Sequence, residues 1–495
     1  VRIADCGLWI ERRWRGHTIV IVLVVVLGLW PFTNNEQRLP FSGGFRVPAR
    51  RPNILFFFTD QQRWDTVGAY GQPLPVTPNF DRLAAEGVRF ERAFTCQPVC
   101  GPARSCLQTG KYATEVGCYR NDVALPQDQK TIAHWLTEAG YEVGYIGKWH
   151  LASDGRAGLN LRTEPVPLER RGGYKDYWLA ADVLEFTSHG YDGYMYNADM
   201  QRVDFTGYRV DCVTDFALDY VRTRSLDRPF FLFLSYIEPH HQNDHNRYEG
   251  PDGSKERFRN FVVPGDLADT EGDWRENYPD YLGQINSLDA NFGRIMALLE
   301  ERGIADEILV LFTSDHGSHF RTRNGEYKRA CHEGCVRIPM IARGPGFGGG
   351  RVLGGLASLI DVPATILAAA GLEVPSYMRG RPLQHLVAGA EDWREDVFIQ
   401  ISESQVGRAL RTVRWKYSVR APEKNGWQDS ASDRYVEDYL YDLDADPHEK
   451  NNLMSDSGYA DVRADLAARL KAHIAQVEGM KATITPAPAS ADVDA

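Results

Sequence analysis

The chain has 495 residues, 43% of them hydrophobic, and a formal net charge of −11. That length exceeds the ~250–300 residues at which a single core stops growing, so a main domain plus a smaller one is expected. The charge argues against a nucleic-acid partner, which calls for a basic face, but leaves room for an anionic substrate held by a local cluster of cations.

In chain order, Arg12, Arg13, Arg15 and His17 precede an apolar run from Ile19 to Leu29. A basic patch before such a run reads as a signal peptide or signal anchor, although it is short of the about 20 apolar residues of a spanning helix. Without its flanks it would read as a buried helix. The expectation is a signal segment plus linker over residues 1–50 and an exported protein that is periplasmic, secreted or membrane-anchored by the apolar run.

Ile54–Phe58 is a continuous apolar run of buried-strand type. Thr77-Pro78 opens a helix that Gly87 closes. Glu142–Ile146, Phe230–Leu234 and Ile308–Phe312 are further buried-strand candidates. Leu282, Ile285, Leu288, Phe292, Ile295 and Leu298 recur at helical spacing before Gly303. Strand–helix alternation of this kind predicts an α/β fold with a mostly parallel sheet. After about Gly371 shorter strands appear at Val397–Ile401 and Tyr417–Arg420, then a polar helix near Tyr459–Val477. The expected division is a catalytic α/β domain over 51–375 and a smaller C-terminal α+β domain over 376–480 containing an antiparallel sheet. The tail over 481–495, rich in Pro, Ala, Ser and Asp, is expected to be disordered.

The strand ends carry the chemistry. The first strand runs into Asp60-Gln61, the second into Lys148-Trp149-His150, the third into Pro239-His240-His241, the fourth into Asp315-His316. In open α/β sheets, ligands bind beyond the carboxyl ends of the strands. A lone Asp after a strand is usually a turn or cap, but four strand ends delivering Asp, Gln, Lys and His to one edge predict a site. Cys100-Gly-Pro-Ala-Arg104 reads as a helix start, with Cys100 and Arg104 one turn apart on one face. A helix N-terminus beside an Arg favours an anion. Eight cysteines are too few for a disulfide framework. Cys96, Cys100, Cys106 and Cys118 crowd one stretch and Cys331 and Cys335 another, which points to a site or a local staple.

Cys100-x-Pro102-x-Arg104 followed by Leu107-x-Thr109-Gly110-Lys111 resembles the signature of the formylglycine-dependent, type I sulfatases. The similarity recurs in ordered blocks across residues 52–450: Asn53–Gln61, Thr131–Leu151, Pro229–His240, Leu311–Gly317, Glu333–Pro339 and Leu440–Leu443 with Asp446-Pro447. It implies an alkaline-phosphatase-like fold, a large mostly parallel sheet flanked by helices with a smaller C-terminal sheet. It implies that a maturation enzyme oxidises Cys100 to formylglycine (3-oxoalanine), whose hydrate is the nucleophile, and that Asp60, Gln61, Asp315 and His316 hold one divalent metal with modified Cys100. Ca²⁺ is the usual family metal; the His316 imidazole leaves Mg²⁺ or Mn²⁺ open. Arg104 would hold the modified residue and the sulfate, and Lys148 and Lys328 would bind sulfate oxygens. His150 would help expel sulfate from the enzyme, and His240 would protonate the leaving oxygen. The implied substrate is a sulfated small molecule or glycan. The polar stretch His240–Arg247 would suit a sugar subsite, or it is a solvated loop. Two other readings stand beside sulfate ester hydrolysis: a phosphonate monoester or phosphodiester hydrolase using the same modified cysteine, and an inactive sulfatase-like binding protein.

Overall fold

The computed structural model describes residues 9–14, 17–22 and 51–487. The chain divides into two compact units, Val1–Arg46 and Val47–Ala495. In the first, β1 (Trp9–Trp14) and β2 (His17–Val22) pair antiparallel. The apolar run expected to be a signal segment therefore begins within β2, and its continuation from residue 23 lies outside the described residues. Among the described residues no helix is long and apolar enough to cross a membrane.

The second unit is built on an eleven-stranded sheet. Its strands are β3 (Asn53–Thr59), β4 (Val88–Phe94), β5 (Glu142–Lys148), β6 (Tyr177–Ala181), β7 (Asp192–Asn197) and β8 (Arg202–Thr206), then β9 (Phe230–Ser235), β10 (Ile308–Ser314), β11 (Arg337–Ile338), β12 (Met340–Arg343) and β13 (Arg351–Ser358). They lie in the order β11-β4-β12-β10-β3-β9-β5-β6-β7-β8, with β13 beside β4. The central strands β10, β3, β9, β5 and β6 run parallel. Antiparallel pairs flank them on both sides.

The apolar runs make these central strands because both faces of the sheet are covered. Ile54, Phe56 and Phe58 point into one buried cluster, while Leu55 and Phe57 point into another. The period-two alternation thus appears as two cores rather than as core and solvent. On the second face the helix Trp274–Glu301 contributes Leu288, Phe292, Ile295 and Leu299, all but the last among the periodic residues of the sequence. Helix α1 (Pro78–Glu86) stacks Phe80 on Phe312 with ring centroids 4.0 Å apart.

The smaller sheet contains β14 (Asp396–Ile401), β15 (Gly407–Thr412), β16 (Trp415–Arg420), β17 (Arg434–Asp442) and β18 (Thr483–Thr485). The first four form an antiparallel meander. Leu410, Tyr417, Val419 and Leu440 share a buried cluster with Ile54 and Phe56, as do Leu466, Leu470 and Ile474 of the helix Ala460–Glu478. The expected disorder from residue 481 needs correction: Thr483–Thr485 lies parallel to Arg434–Val436 as an edge strand. A composition rich in Pro and Ala does not reveal that the β17 edge offers unpaired backbone groups to such a segment. Residues 488–495 lie outside the described residues.

Candidate active site

Four neighbouring strands of the parallel core, β10, β3, β9 and β5, end at one edge and deliver the predicted residues. Asp60 and Gln61 follow β3, and Asp315 and His316 follow β10, where the Asp315 amide donates to Thr59 O at 3.2 Å. Lys148 is the last residue of β5. Just before it, Gly147 sits at φ 106° with a Cβ position only 1.9 Å from Ser235 O. No side chain fits there, so glycine lets β5 close on β9 at the site.

Cys100 opens α2 (Cys100–Thr109), which comes after strand β4 in the chain. Ala103 N donates to Val99 O at 2.9 Å, and Asn121 Oδ1 accepts from the free first-turn amide of Gly101 at 3.0 Å. The Cys100 sulfur is buried at the centre of the constellation. It lies 3.4 Å from Asp60 Oδ1, 3.2 Å from His316 Nε2 and 2.9 Å from Lys328 Nζ. Burial, then the Asp60 charge, pushes its thiol up to about 12. The unmodified cysteine is therefore a protonated thiol and a poor nucleophile at neutral pH.

The acidic side of the site is tightly organised. Asp60 accepts from Lys148 Nζ at 2.7 Å and from Arg104 Nη2 at 3.0 Å. Burial alone would raise its pKa; Lys148, with Arg104 and Lys328, holds the carboxylate well below the ordinary value. Asp315 Oδ1 accepts from the amides of Gln61 at 2.9 Å and His316 at 2.8 Å, while its Oδ2 makes no hydrogen bond. Burial and the facing Asp60 raise the Asp315 carboxyl. His316 Nδ1 donates to Gly317 O at 2.9 Å, because a carbonyl can only accept. That fixes the tautomer and leaves the Nε2 lone pair facing Asp60, Cys100 and Asp315. Burial and Lys328 keep this imidazole neutral, the form that ligates a metal.

One ligand atom from each of Asp60, Cys100, Asp315 and His316 lies within 4.8 Å of the others. Gln61 adjoins them, its Nε2 donating to Tyr248 OH at 2.7 Å and its Oε1 left as the remaining donor atom. Two carboxylates, an amide and an imidazole around an Asp315 oxygen that makes no hydrogen bond and has only Arg104 Nη2 at 3.6 Å facing it fit a divalent cation, which would neutralise the carboxylate pair.

Arg104 is buried, with Nη1 donating to Lys148 O at 2.9 Å and Ser235 Oγ at 2.8 Å. Its contacts thus hold Asp60 and the end of β5, with Asp315 Oδ2 a further 3.6 Å from Nη2. Lys328 Nζ bridges Cys100 Sγ and His240 Nε2, the latter at 3.0 Å. His240 turns Nδ1 towards His241 O at 2.5 Å and Glu185 Oε2 at 3.2 Å. Burial, Lys328 and Lys148 depress its pKa. His150, at φ 59°, has a buried Nδ1 without a partner, and burial and Lys148 depress it as well.

Cys100, Gln61, His150, His240 and Lys328 line one cavity of about 70 Å³. Asn121, Glu185 and Arg329 line it too and belong to none of the motifs, while Asn243 joins them from the polar stretch. Nothing in the local sequence marks Glu185, which comes from the connection between β6 and β7 and is buried only by the fold. The polar stretch divides: His240, His241 and Gln242 are buried, whereas Asn243 to Arg247 are exposed, with Asn243 also reaching the cavity. The described cysteines, Cys331 and Cys335 included, are free thiols, so the second cysteine pair is not a staple.

Comparison with known proteins agrees with this geometry. Residues 52–372 match the family model described as Sulfatase. Residues 325–476 match the one described as N-sulphoglucosamine sulphohydrolase, C-terminal. The chain is 26% identical over 507 residues to an N-acetylglucosamine-6-O-sulfatase of Bacteroides thetaiotaomicron, covering 85% of this chain and 86% of that protein. It is 28% identical over 498 residues to the multifunctional alkaline phosphatase superfamily protein PehA of Trinickia caryophylli, covering 85% and 94%. Among solved structures, a protein in complex with its substrate D-glucosamine-2-N,6-O-disulfate has the same fold, with a TM-score of 0.71 at 24% identity over 87% of this chain and 99% of that one. The chain belongs to the sulfatase family of the alkaline phosphatase superfamily and is a sulfuric ester hydrolase.

Proposed function

We propose that this sulfatase cleaves a sulfate ester of a sulfated carbohydrate, using a formylglycine made from Cys100 and one divalent metal ion, Ca²⁺ by preference. The carrying observation is the position of the Cys100 sulfur. It sits among Asp60, His316 and Lys328 as a thiol raised to about 12, at the hub of a metal-type donor set yet unsuited to attack as cysteine. Oxidation to formylglycine supplies a hydrated aldehyde whose hydroxyl is a competent oxygen nucleophile at that point. The carbohydrate class is supported by the glucosamine-derived substrates in the names of similar proteins.

Asp60, Gln61, Asp315 and His316, with the modified residue 100, would hold the metal. When bound, it supplies positive charge beside the nucleophile and the ester oxygens. Carboxylate and amide oxygens suit Ca²⁺, while the imidazole of His316 keeps Mg²⁺ and Mn²⁺ as alternatives that metal replacement distinguishes.

The remaining groups act on charge and protons. Lys328 and Lys148 neutralise the ester sulfate, and Arg104 keeps Asp60 ionised and in place. His240 delivers a proton to the leaving oxygen from Nε2, the nitrogen facing Lys328. A bound sulfate between Lys328 and Lys148 opposes the charges that depress His240, which favours its protonated form in the complex. His150, deprotonated in these surroundings, takes the hydroxyl proton at residue 100 that must leave for sulfate to be released. We place the protein outside the cytoplasm, on Arg12, Arg13 and Arg15 before the apolar run, with the formylglycine-generating enzyme as its maturation partner.

The test is a desulfation screen over sulfated mono- and oligosaccharides, set against an aryl sulfate, an aryl phosphonate and an aryl phosphodiester. The expected result is the highest kcat/KM on a sulfated sugar. A higher kcat/KM on the phosphonate or diester would assign the site to phosphonate or phosphodiester hydrolysis instead.

A further inference from the structure

The cavity of about 70 Å³ over Cys100 is far below the roughly 300–1,000 Å³ of a pocket that encloses a whole ligand. It admits a sulfate-sized group, so the rest of any sugar chain must lie across its mouth. Asn121 and Arg329 line the cavity, and next to Arg329 stands Trp427, a large aromatic that is 44% exposed. The guanidinium of Arg329 lies 5.7 Å from the Trp427 ring centroid and that of Arg120 lies 5.8 Å from it.

These two cations are not equivalent. Arg329 is paired with Glu403 at 2.5 Å and Glu326 at 3.0 Å. Arg120 has no carboxylate partner among the described residues; its Nη1 donates to Asn121 O at 2.9 Å and its buried Nε has no partner. An uncompensated guanidinium is conspicuous in a chain of net charge −11.

The loop that carries Trp427 is held in place. Tyr119 OH donates to Gln428 O at 2.9 Å, and Glu403 N donates to Gly426 O at 3.1 Å. The chain approaches so closely that a Cβ on Gly426 would stand 2.8 Å from the Glu403 backbone. Asp429 accepts from Asn425 N at 2.9 Å, closing the turn. The backbone that carries the exposed indole is therefore held before a ligand arrives, which lowers the ordering cost of binding.

We infer that Arg120 and Trp427 form an outer subsite for a second sugar of the substrate, one that carries its own sulfate or carboxylate. The indole supplies an apolar surface for the sugar ring, and Arg120 supplies the charge-assisted donors for its anionic group. The preferred substrate is then a polyanionic oligosaccharide cleaved at one ester, rather than a monosaccharide sulfate. This inference rests on the carbohydrate reading above.

Calorimetric titration of the metal-loaded Cys100→Ala protein tests it without turnover. The ligands are a hexosamine 6-sulfate monosaccharide, a sulfated uronate-containing tetrasaccharide with the same sulfated residue, and its carboxyl-reduced, otherwise monosulfated counterpart. The expected result is at least ten-fold tighter binding of the polyanionic tetrasaccharide than of the other two. Arg120→Gln or Trp427→Ala in the same background should erase that gain, leave the monosaccharide affinity within two-fold, and leave the melting temperature unchanged. Arg120→Lys should restore part of it. Equal affinity for all three sugars, or an Arg120→Gln loss shared equally by the monosaccharide, would overturn the subsite alone. Binding of none of them would overturn the carbohydrate reading and the subsite with it.

Discussion

At the scale of single residues, the site depends on charges that cannot be removed one at a time. Asp60 is fully buried against Lys148 and Arg104, so Asp60→Ala leaves Lys148 without its carboxylate and Arg104 with Asp315 alone at 3.6 Å. Removing one member of a buried pair typically destabilises by about 3–5 kcal/mol. The expected outcome is loss of turnover and of calorimetric metal binding, with a lowered melting temperature. Retention of stoichiometric metal binding would contradict the ligand set. The two cavity histidines separate by leaving group. His240→Ala should slow sugar sulfates by about 10²–10⁴-fold, the usual worth of a positioned acid, and spare activated phenyl sulfates, whose phenolates leave without a proton. His150→Ala should slow both classes towards one common rate. Turnover of the two variants across a leaving-group series checks this, and identical dependence in both would mean that the roles are misassigned. Glu185, 3.2 Å from His240 Nδ1, shows what motif reading misses: its importance comes from a neighbour distant in sequence and from burial, neither of which its own segment reveals. Cys100 and Arg104 were legible because one helical turn contains both.

At the scale of elements, the legible strands were those buried on both faces. The runs at β3, β9 and β10 are continuous hydrocarbon, which parallel core strands require. The strands β7 and β8 read as Asp192-Gly-Tyr-Met-Tyr-Asn197 and Arg202-Val-Asp-Phe-Thr206, polar enough to pass for loop, because they are the last two strands on one side of the sheet, β8 at its edge, with mostly exposed or half-buried side chains. The first turn of α1 shows another limit. Thr77 makes no side-chain cap; instead Asp289, from the helix Trp274–Glu301, accepts from Asn79 N at 3.0 Å and Phe80 N at 2.8 Å. Asp289→Ala should cost about 0.5–2 kcal/mol, the usual worth of a helix cap, read as a lower melting temperature with the active site intact. Burial raises the Asp289 pKa to about 6, above the roughly 3.9 of an unfolded aspartate. A raised carboxyl favours the folded state most when protonated, so its contribution is full below about pH 4 and is lost as pH rises to about 6. Stability measured over that window should fall more steeply with rising pH in the wild type than in Asp289→Asn. The opposite difference in slope would contradict this assignment.

At the scale of the whole molecule, the two sheets of the unit Val47–Ala495 share one hydrophobic cluster, and the C-terminal region also reaches the catalytic loop through ions. The loop reached is the cavity-lining one before Glu333: Lys416 of β16 pairs with Glu333 at 2.8 Å and Glu449 at 2.6 Å, and Arg411 of β15 pairs with Glu333 at 2.9 Å. Glu333 closes the segment that carries Lys328 and Arg329, so the smaller sheet braces the Lys328 side of the cavity. The sequence change near Gly371 therefore marks a change of sheet within a shared core, which composition alone does not distinguish from a separate domain. The central claim is that this scaffold activates residue 100 only after its thiol has been replaced by an aldehyde. The direct measurement is peptide mass spectrometry at Cys100 alongside sulfate release, on protein produced with and without a formylglycine-generating enzyme and reconstituted with Ca²⁺. The account predicts turnover proportional to the formylglycine fraction and none from protein in which Cys100 is wholly unmodified. Full activity with an intact Cys100 thiol would contradict it.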